Sequence, residues 1–170
     1  LGITVTASST QAKVYGTSDP VFTYSNSPAL IGGDTFSGSL TRLGGTDVGA
    51  YAIGQGSLSA STNYTITFVP NNFTITAKPI TVTASSTQSK IYSNNSATDP
   101  VFAYSFTPAL VSGDSFSGAL TRVAGETVGT YTINQGGLIA GANAGANYTI
   151  TFATSSFAIL KATPIITWAN

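Results

Sequence analysis

The sequence predicts an all-β chain made of two small, mainly antiparallel modules, sandwich or β-grasp-like, set end to end with little or no helix. Three observations carry that prediction. The string Ile3–Gln11 returns letter for letter as Ile80–Gln88, an offset of 80 − 3 = 77. Apolar residues alternate with polar ones, mostly Thr, in Ile3–Ala7, Tyr64–Phe68 and Phe73–Ala77, the period of a strand with one buried and one wet face. No window long enough for a stable helix carries apolar residues at a spacing of 3.6.

Ile3–Ala7 opens the first module as a strand, since β-branched Thr on the wet positions favours extended backbone. Weaker strands are expected around Phe22–Ser25, Phe36–Arg42 and Gly49–Gln55, separated by Gly, Pro, Asn, Asp and Ser clusters that make turns. The one helical candidate is Ser27-Pro28-Ala29-Leu30, where Pro can occupy a first helical position. Tyr64–Phe68 and Phe73–Ala77 close the module. Only Lys78-Pro79 then precedes Ile80, and Pro restricts both its own φ and the residue before it. A link this short predicts limited relative motion.

The second module repeats the first in order. Asp99–Phe102 answers Asp19–Phe22 at an offset of 99 − 19 = 80, and Asn147–Phe152 answers Asn63–Phe68 at 147 − 63 = 84. The jumps fall where turns are expected, and loops absorb insertions at little cost. The expected domains are residues 1–78 and 79–161. Residues 162–170, with Pro164–Trp168, read as the start of a truncated following module or a linker. Leu1-Gly2-Ile3 enters in mid-pattern, so the expectation is a slice of a longer array.

Composition narrows the function. Charged residues make up 7% and the formal net charge is +0, which gives no electrostatic steering toward nucleic acid or an anionic membrane. No run approaches the ~20 apolar residues of a membrane span. Without Cys or His, thiol nucleophiles, imidazole bases and the usual zinc sites are unavailable. No cofactor and no enzyme activity are expected.

Lys13-Val-Tyr15-Gly16-Thr-Ser-Asp19-Pro20, then Leu30-Ile-Gly-Gly33-Asp34 and Val48-Gly49-Ala-Tyr51-Ala-Ile53, closed by Asn63–Phe68 and Phe73-Thr-Ile75, resemble the YGX-type MBG domain. The resemblance covers nearly the whole chain, twice. It implies tandem non-catalytic modules of very large bacterial surface and adhesin-like proteins. The second copy departs from the motif that names the family: Ser93 replaces Gly16, and three extra residues separate Tyr92 from Asp99. If Gly16 supplies a positive φ, that turn must be rebuilt in the second copy.

Five charged positions are retained in both copies: Lys13 with Lys90, Asp19 with Asp99, Asp34 with Asp114, Arg42 with Arg122 and Lys78 with Lys161; the Asp and Arg pairs are the turn or ion-pair candidates. Asp-Pro and Gly-Asp read as turns. Arg42 is the expected partner of Asp34, because the two flank Phe36–Leu40. Asp34 with Asp47 is the only attractive paired-acid option, and the second copy has Thr127 at the position of Asp47. Three scattered acids per module predict no calcium site. A Lys–Asn isopeptide crosslink is an open option that spacing alone does not decide. Among the aromatics, Tyr51, Tyr64, Phe68 and Phe73 are expected in the core. Tyr24, Tyr104 and Phe106, with Asn94 and Asn95 in the enlarged loop 93–98 and the loop 139–146, are the ligand-facing candidates.

The resulting expectation is a stalk or spacer repeat of an extracellular bacterial adhesin, which projects a distal binding region. Its partners are neighbouring repeats of the same chain, and as a fragment it is expected to be monomeric. The alternative is a module that binds host or matrix glycan or protein, or self-associates through Thr-rich edge strands that lack Lys gatekeepers.

Overall fold

Alternation of Thr with Ile, Val and Phe becomes strand almost wherever it occurs in the computed structural model, which describes residues 1–95, 98–141, 143–164 and 166. The chain divides into two compact units, Leu1–Lys78 and Pro79–Asn170. Among the described residues there is no α-helix, and Asn143–Gly145 forms a 3-10 turn.

The first unit contains β1 (Gly2–Ala7), β2 (Ala12–Val14), β3 (Tyr24–Ser27), β4 (Thr41–Arg42), β5 (Gly49–Gly54), β6 (Thr65–Val69) and β7 (Asn71–Thr76). They form two sheets, ordered β3-β1-β6 and β2-β7-β5-β4. Ile3, Val5 and Ala7 of the first sheet share one buried cluster with Ile53, Phe73 and Ile75 of the second, sealed by Leu40 and Leu58. This is a sandwich, with no helix to make a β-grasp. Tyr51, Tyr64 and Phe68 pack half-buried against that cluster, and Phe73 is fully inside it.

The second unit repeats the plan with β8 (Lys78–Ala84), β9 (Gln88–Ile91), β10 (Tyr104–Thr107), β11 (Phe116–Ser117), β12 (Thr121–Arg122), β13 (Gly129–Asn134), β14 (Ile139–Ala140), β15 (Tyr148–Ala153) and β16 (Ser155–Leu160). Its sheets run β10-β8-β15 and β12-β13-β16-β9, and β11 pairs with β14. In the first unit that last pair shrinks to a single bridge between Ser37 and Ser59. Ile80, Val82, Ile133, Phe157 and Ile159 are buried.

Four local expectations change. The strand expected over Phe36–Arg42 contracts to Thr41–Arg42, and the one at Phe22–Ser25 shifts to Tyr24–Ser27. No helix forms at residues 28–30, because β3 pairs with β1 through Ser27 and delivers Pro28 from extended backbone; the Ser27–Pro28 peptide is cis. Lys78-Pro79 is not a linker but the start of β8, which leaves Ala77 alone between β7 and β8. Within the expected terminal segment 162–170, residues 162–164 are exposed and outside any strand, while Ile165 and Thr167–Asn170 lie outside the described residues.

Parallel pairing is the feature that alternation does not reveal. β1 pairs in parallel with β6, and β2 with β7, beside antiparallel β1–β3, β5–β7 and β4–β5. It accompanies a corner at residues 8–11, where the chain leaves β1 in one sheet and enters β2 in the other. Thr10 takes φ 65 there, and Thr87 takes the same value in the second unit. The Gln11 amide mends the corner: its Nε2 donates to the Ser8 carbonyl (3.0 Å), and its Oε1 accepts the Thr23 N–H (2.7 Å). Gln88 repeats both bonds with Ser85 (2.9 Å) and Ala103 (2.6 Å). The verbatim Ser-Ser-Thr-Gln of both copies is therefore a sheet-switching corner. Gln88→Ala should destabilise the second unit by about 1 kcal/mol, read by denaturant melts and by faster hydrogen exchange at Ala103.

Candidate functional site

Arg42 lies on β4, the edge strand of the four-stranded sheet, and its guanidinium covers the aromatic floor below it. Its Cζ stands 5.0 Å from the Tyr51 ring centroid and 5.4 Å from that of Phe73. Nε donates to Asp19 Oδ2 at 2.7 Å and Nη2 to Asp19 Oδ1 at 3.2 Å, while Nη1 donates to the carbonyls of Leu43 (2.9 Å) and Gly45 (2.8 Å). Lys13 on β2 adds its ammonium to Asp19 Oδ1 at 2.7 Å. Gly45 has φ 144, and a Cβ there would fall 2.1 Å from the Tyr51 ring, so only glycine presents that carbonyl to Arg42. The Tyr51 hydroxyl donates to the Asp47 carbonyl at 2.7 Å and closes the loop.

The second unit builds the same cluster. Arg122 covers Tyr131 and Phe157 at 4.9 and 5.3 Å, holds Asp99 through Nε, and donates to the Val123 and Gly125 carbonyls. Lys90 Nζ meets Asp99 Oδ1 at 2.6 Å. One member is new: the Glu126 carboxylate bridges Arg122 Nη2 and Lys90 Nζ.

The expected Asp34–Arg42 pair does not form. Arg42 belongs to the four-stranded sheet, whereas Asp34 is drawn to the residue that leads into β6 of the three-stranded sheet. Asp34 Oδ2 accepts the Tyr64 hydroxyl at 2.7 Å, and Tyr64 Oη accepts the Ile31 N–H at 3.0 Å, which pins the 31–34 turn. Asp114 with Tyr148 and the Val111 N–H does the same in the second unit. The partner of Arg42 is Asp19, 23 residues earlier, and no local spacing signals it. Glu126 likewise reaches Lys90, 36 residues earlier, and no local spacing signals that contact.

Of the ligand-facing candidates, Tyr104 and Phe106 share one neighbour, Phe116. Tyr24 packs edge-on to Phe36 at 5.5 Å, and Tyr104 to Phe116 at 5.4 Å, both half-buried. Phe106 is exposed and sits edge-on to Phe116 at 4.9 Å. Asn94 takes φ 52, the left-handed turn that replaces Gly16 (φ 83) of the first unit, and the Asn95 carbonyl accepts Lys90 Nζ at 2.9 Å. Residues 96, 97 and 142 of the enlarged loops lie outside the described residues. Lys13 and Lys90 bring their ammonium groups to carboxylates and not to an Asn side chain. Among the described residues, no three acids come together as a cation site.

Beside each cluster the surface opens into an apolar groove. The first, about 460 Å³, is walled by Pro20, Val21, Phe22, Leu40 and Leu43, and the second is about 660 Å³. Val21 is 86% exposed and its counterpart Val101 91%.

The cluster stays charged. Hydrogen bonds from Arg42, then Lys13, hold the Asp19 carboxyl below its usual range. Burial pushes Asp99 up, but Arg122 and Lys90 outweigh it and the carboxyl ends below its ordinary value. Lys90 chiefly, against burial, lowers Glu126; burial opposes the charge on Lys90, yet Asp99 and Glu126 raise it above the usual amine value. A carboxylate depressed in the folded state stabilises above its unfolded pKa, and that contribution is lost as pH falls through the folded one. The second unit should therefore lose stability as pH drops below about 4. Glu126→Gln should flatten that loss in thermal melts between neutral and acid pH; an unchanged slope would refute the assignment.

A family model for the MBG domain (YGX type) matches residues 3–74 and again residues 80–158. Comparison with curated proteins and with solved structures returned no match.

Proposed function

This chain belongs to the YGX-type MBG domain family and carries the domain twice, and from that premise we propose that its two copies are non-catalytic, force-bearing spacer repeats of a bacterial surface or secreted adhesin. Membership supports a repeat module. The observation that carries the mechanical reading is the pairing of early and late strands within each module. β2 lies parallel to β7, and β9 parallel to β16. In a parallel pair the upstream end of one strand and the downstream end of the other point in opposite directions. Tension applied through a module's two chain ends therefore loads the whole ladder in shear, instead of peeling one hydrogen bond at a time. The acids and cations retained in both copies serve this body as internal ties, and the absence of Cys frees it from redox control.

Single-molecule stretching of the whole chain tests the reading. Pulling through the two termini should give one rupture per module, at a higher force than pulling across the antiparallel β4–β5 pair, which unzips. Equal or lower force through the termini would remove the spacer function. Forced unfolding reports the unfolding rate, so an equilibrium melt is no substitute.

A second reading is favoured by the exposed Val21 and Val101 beside β4 and β12, which are edge strands: self-association or protein binding through these edges. Sedimentation that stays monomeric as concentration rises would exclude self-association through these edges.

A further inference from the structure

The two charged clusters differ by one carboxylate. Gly45 and Gly125 each give a carbonyl to the arginine Nη1, and the next residue is Thr46 in the first module and Glu126 in the second. In the second, two cations meet two carboxylates, 2 − 2 = 0; in the first, the ion pairs of both cations are with Asp19, 2 − 1 = +1, and Asp47, which follows Thr46, makes a contact of its own. The first cluster is also the more open. Lys13 and Arg42 side chains are 11% and 10% exposed, against 6% and 4% for Lys90 and Arg122, and Asp19 is 32% exposed against 17% for Asp99.

We propose that the first module holds a carboxylate-binding site, in which Lys13 Nζ and Arg42 Nη2 take from outside the group that Glu126 supplies from within in the second. Everything else the site needs is in place. Asp19 fixes both cations, the Tyr51 and Phe73 rings support the guanidinium, and two backbone carbonyls hold Nη1, so little ordering is required on binding. A surplus of one charge and two convergent donors suit a carboxylate. A phosphate dianion would overcompensate that charge beside Asp19. The adjoining groove, walled by Val21, Phe22, Leu40 and Leu43, favours a carboxylate on a short apolar stem, as the methylenes of Glu126 provide in the second module. Free short-chain acids and the Glu side chain of a partner polypeptide share this chemistry.

Butyrate is added to the full two-module chain at ionic strength held constant with sodium chloride, and NMR resonances are followed. Saturable shifts are expected at Lys13, Arg42 and residues 44–47, with residues 124–127 still. Thr46→Glu should fill the site and weaken butyrate binding at least about tenfold. Glu126→Thr should open the second module, with saturable shifts at Lys90 and Arg122. A blocked Gly-Glu-Gly peptide separates the sources: saturation by peptide and butyrate shows that a polypeptide carboxylate is accepted, and saturation by butyrate alone confines the ligand to small acids. Shifts that never saturate, shifts equal in both modules, or a Thr46→Glu chain that binds butyrate as before would overturn the proposal.

Discussion

Phe73→Ala should destabilise the first module by about 3–5 kcal/mol, the range for emptying a large aromatic site in a rigid core. Phe73 is 0% exposed and lies at the centre of the buried cluster. Phe22 packs edge-on to it at 5.2 Å, and the Arg42 guanidinium rests on its ring. Removal therefore opens a cavity and strips the floor from the charged cluster in one step. A module of this size has roughly 4–12 kcal/mol of total stability, so the loss takes a large share of it. Denaturant melts followed by circular dichroism measure the change. Hydrogen exchange at Val5, Ile53 and Ile75 should show that protection falls in the first module. A loss under about 1 kcal/mol would mean that the two sheets do not share this core.

Arg122→Met should cost the second module about 3 kcal/mol although its hydrophobic volume is nearly kept. The guanidinium spends its donors on Asp99, Glu126 and two backbone carbonyls, and the side chain is 4% exposed. Met can cover Tyr131 and Phe157 but leaves two carboxylates on Lys90 alone, with the Val123 and Gly125 carbonyls unmatched. A double variant, Arg122→Met with Glu126→Gln, should recover part of the loss, because one of the stranded charges is gone. Recovery reads as a higher melting temperature than the single variant. A double variant no more stable than the single would show that Glu126 is not part of the network.

Core positions were legible in this sequence and the charged cluster was not, for a physical reason that the residues show. Ile3, Val5, Phe73 and Ile75 announce themselves by alternation, since burial on one face of a strand writes a period of two into neighbouring letters. Asp19 and Arg42 stand 23 residues apart, and what joins them is the route of the chain, not a spacing. Proximity along the sequence favoured Asp34 as the partner, yet Asp34 follows Tyr64 toward the other sheet. Gln11 lay inside the repeated string, but its job exists only because the backbone turns through Thr10 and leaves groups at Ser8 and Thr23 to be satisfied. Comparing the two copies letter by letter gives Thr46 against Glu126. The consequence of that difference needs the carboxylate placed between two cations.

By itself, the sequence determined a duplicated all-β unit, its family and the alternating strand positions that face each core, because duplication, composition and strand period are properties of letters in order. Tertiary structure alone decided that β2 runs parallel to β7, that Arg42 meets Asp19, and that the Glu126 carboxylate stands between Lys90 and Arg122. Those facts depend on which distant segments come within a few ångströms, and contact at long range is set by the path of the backbone between them.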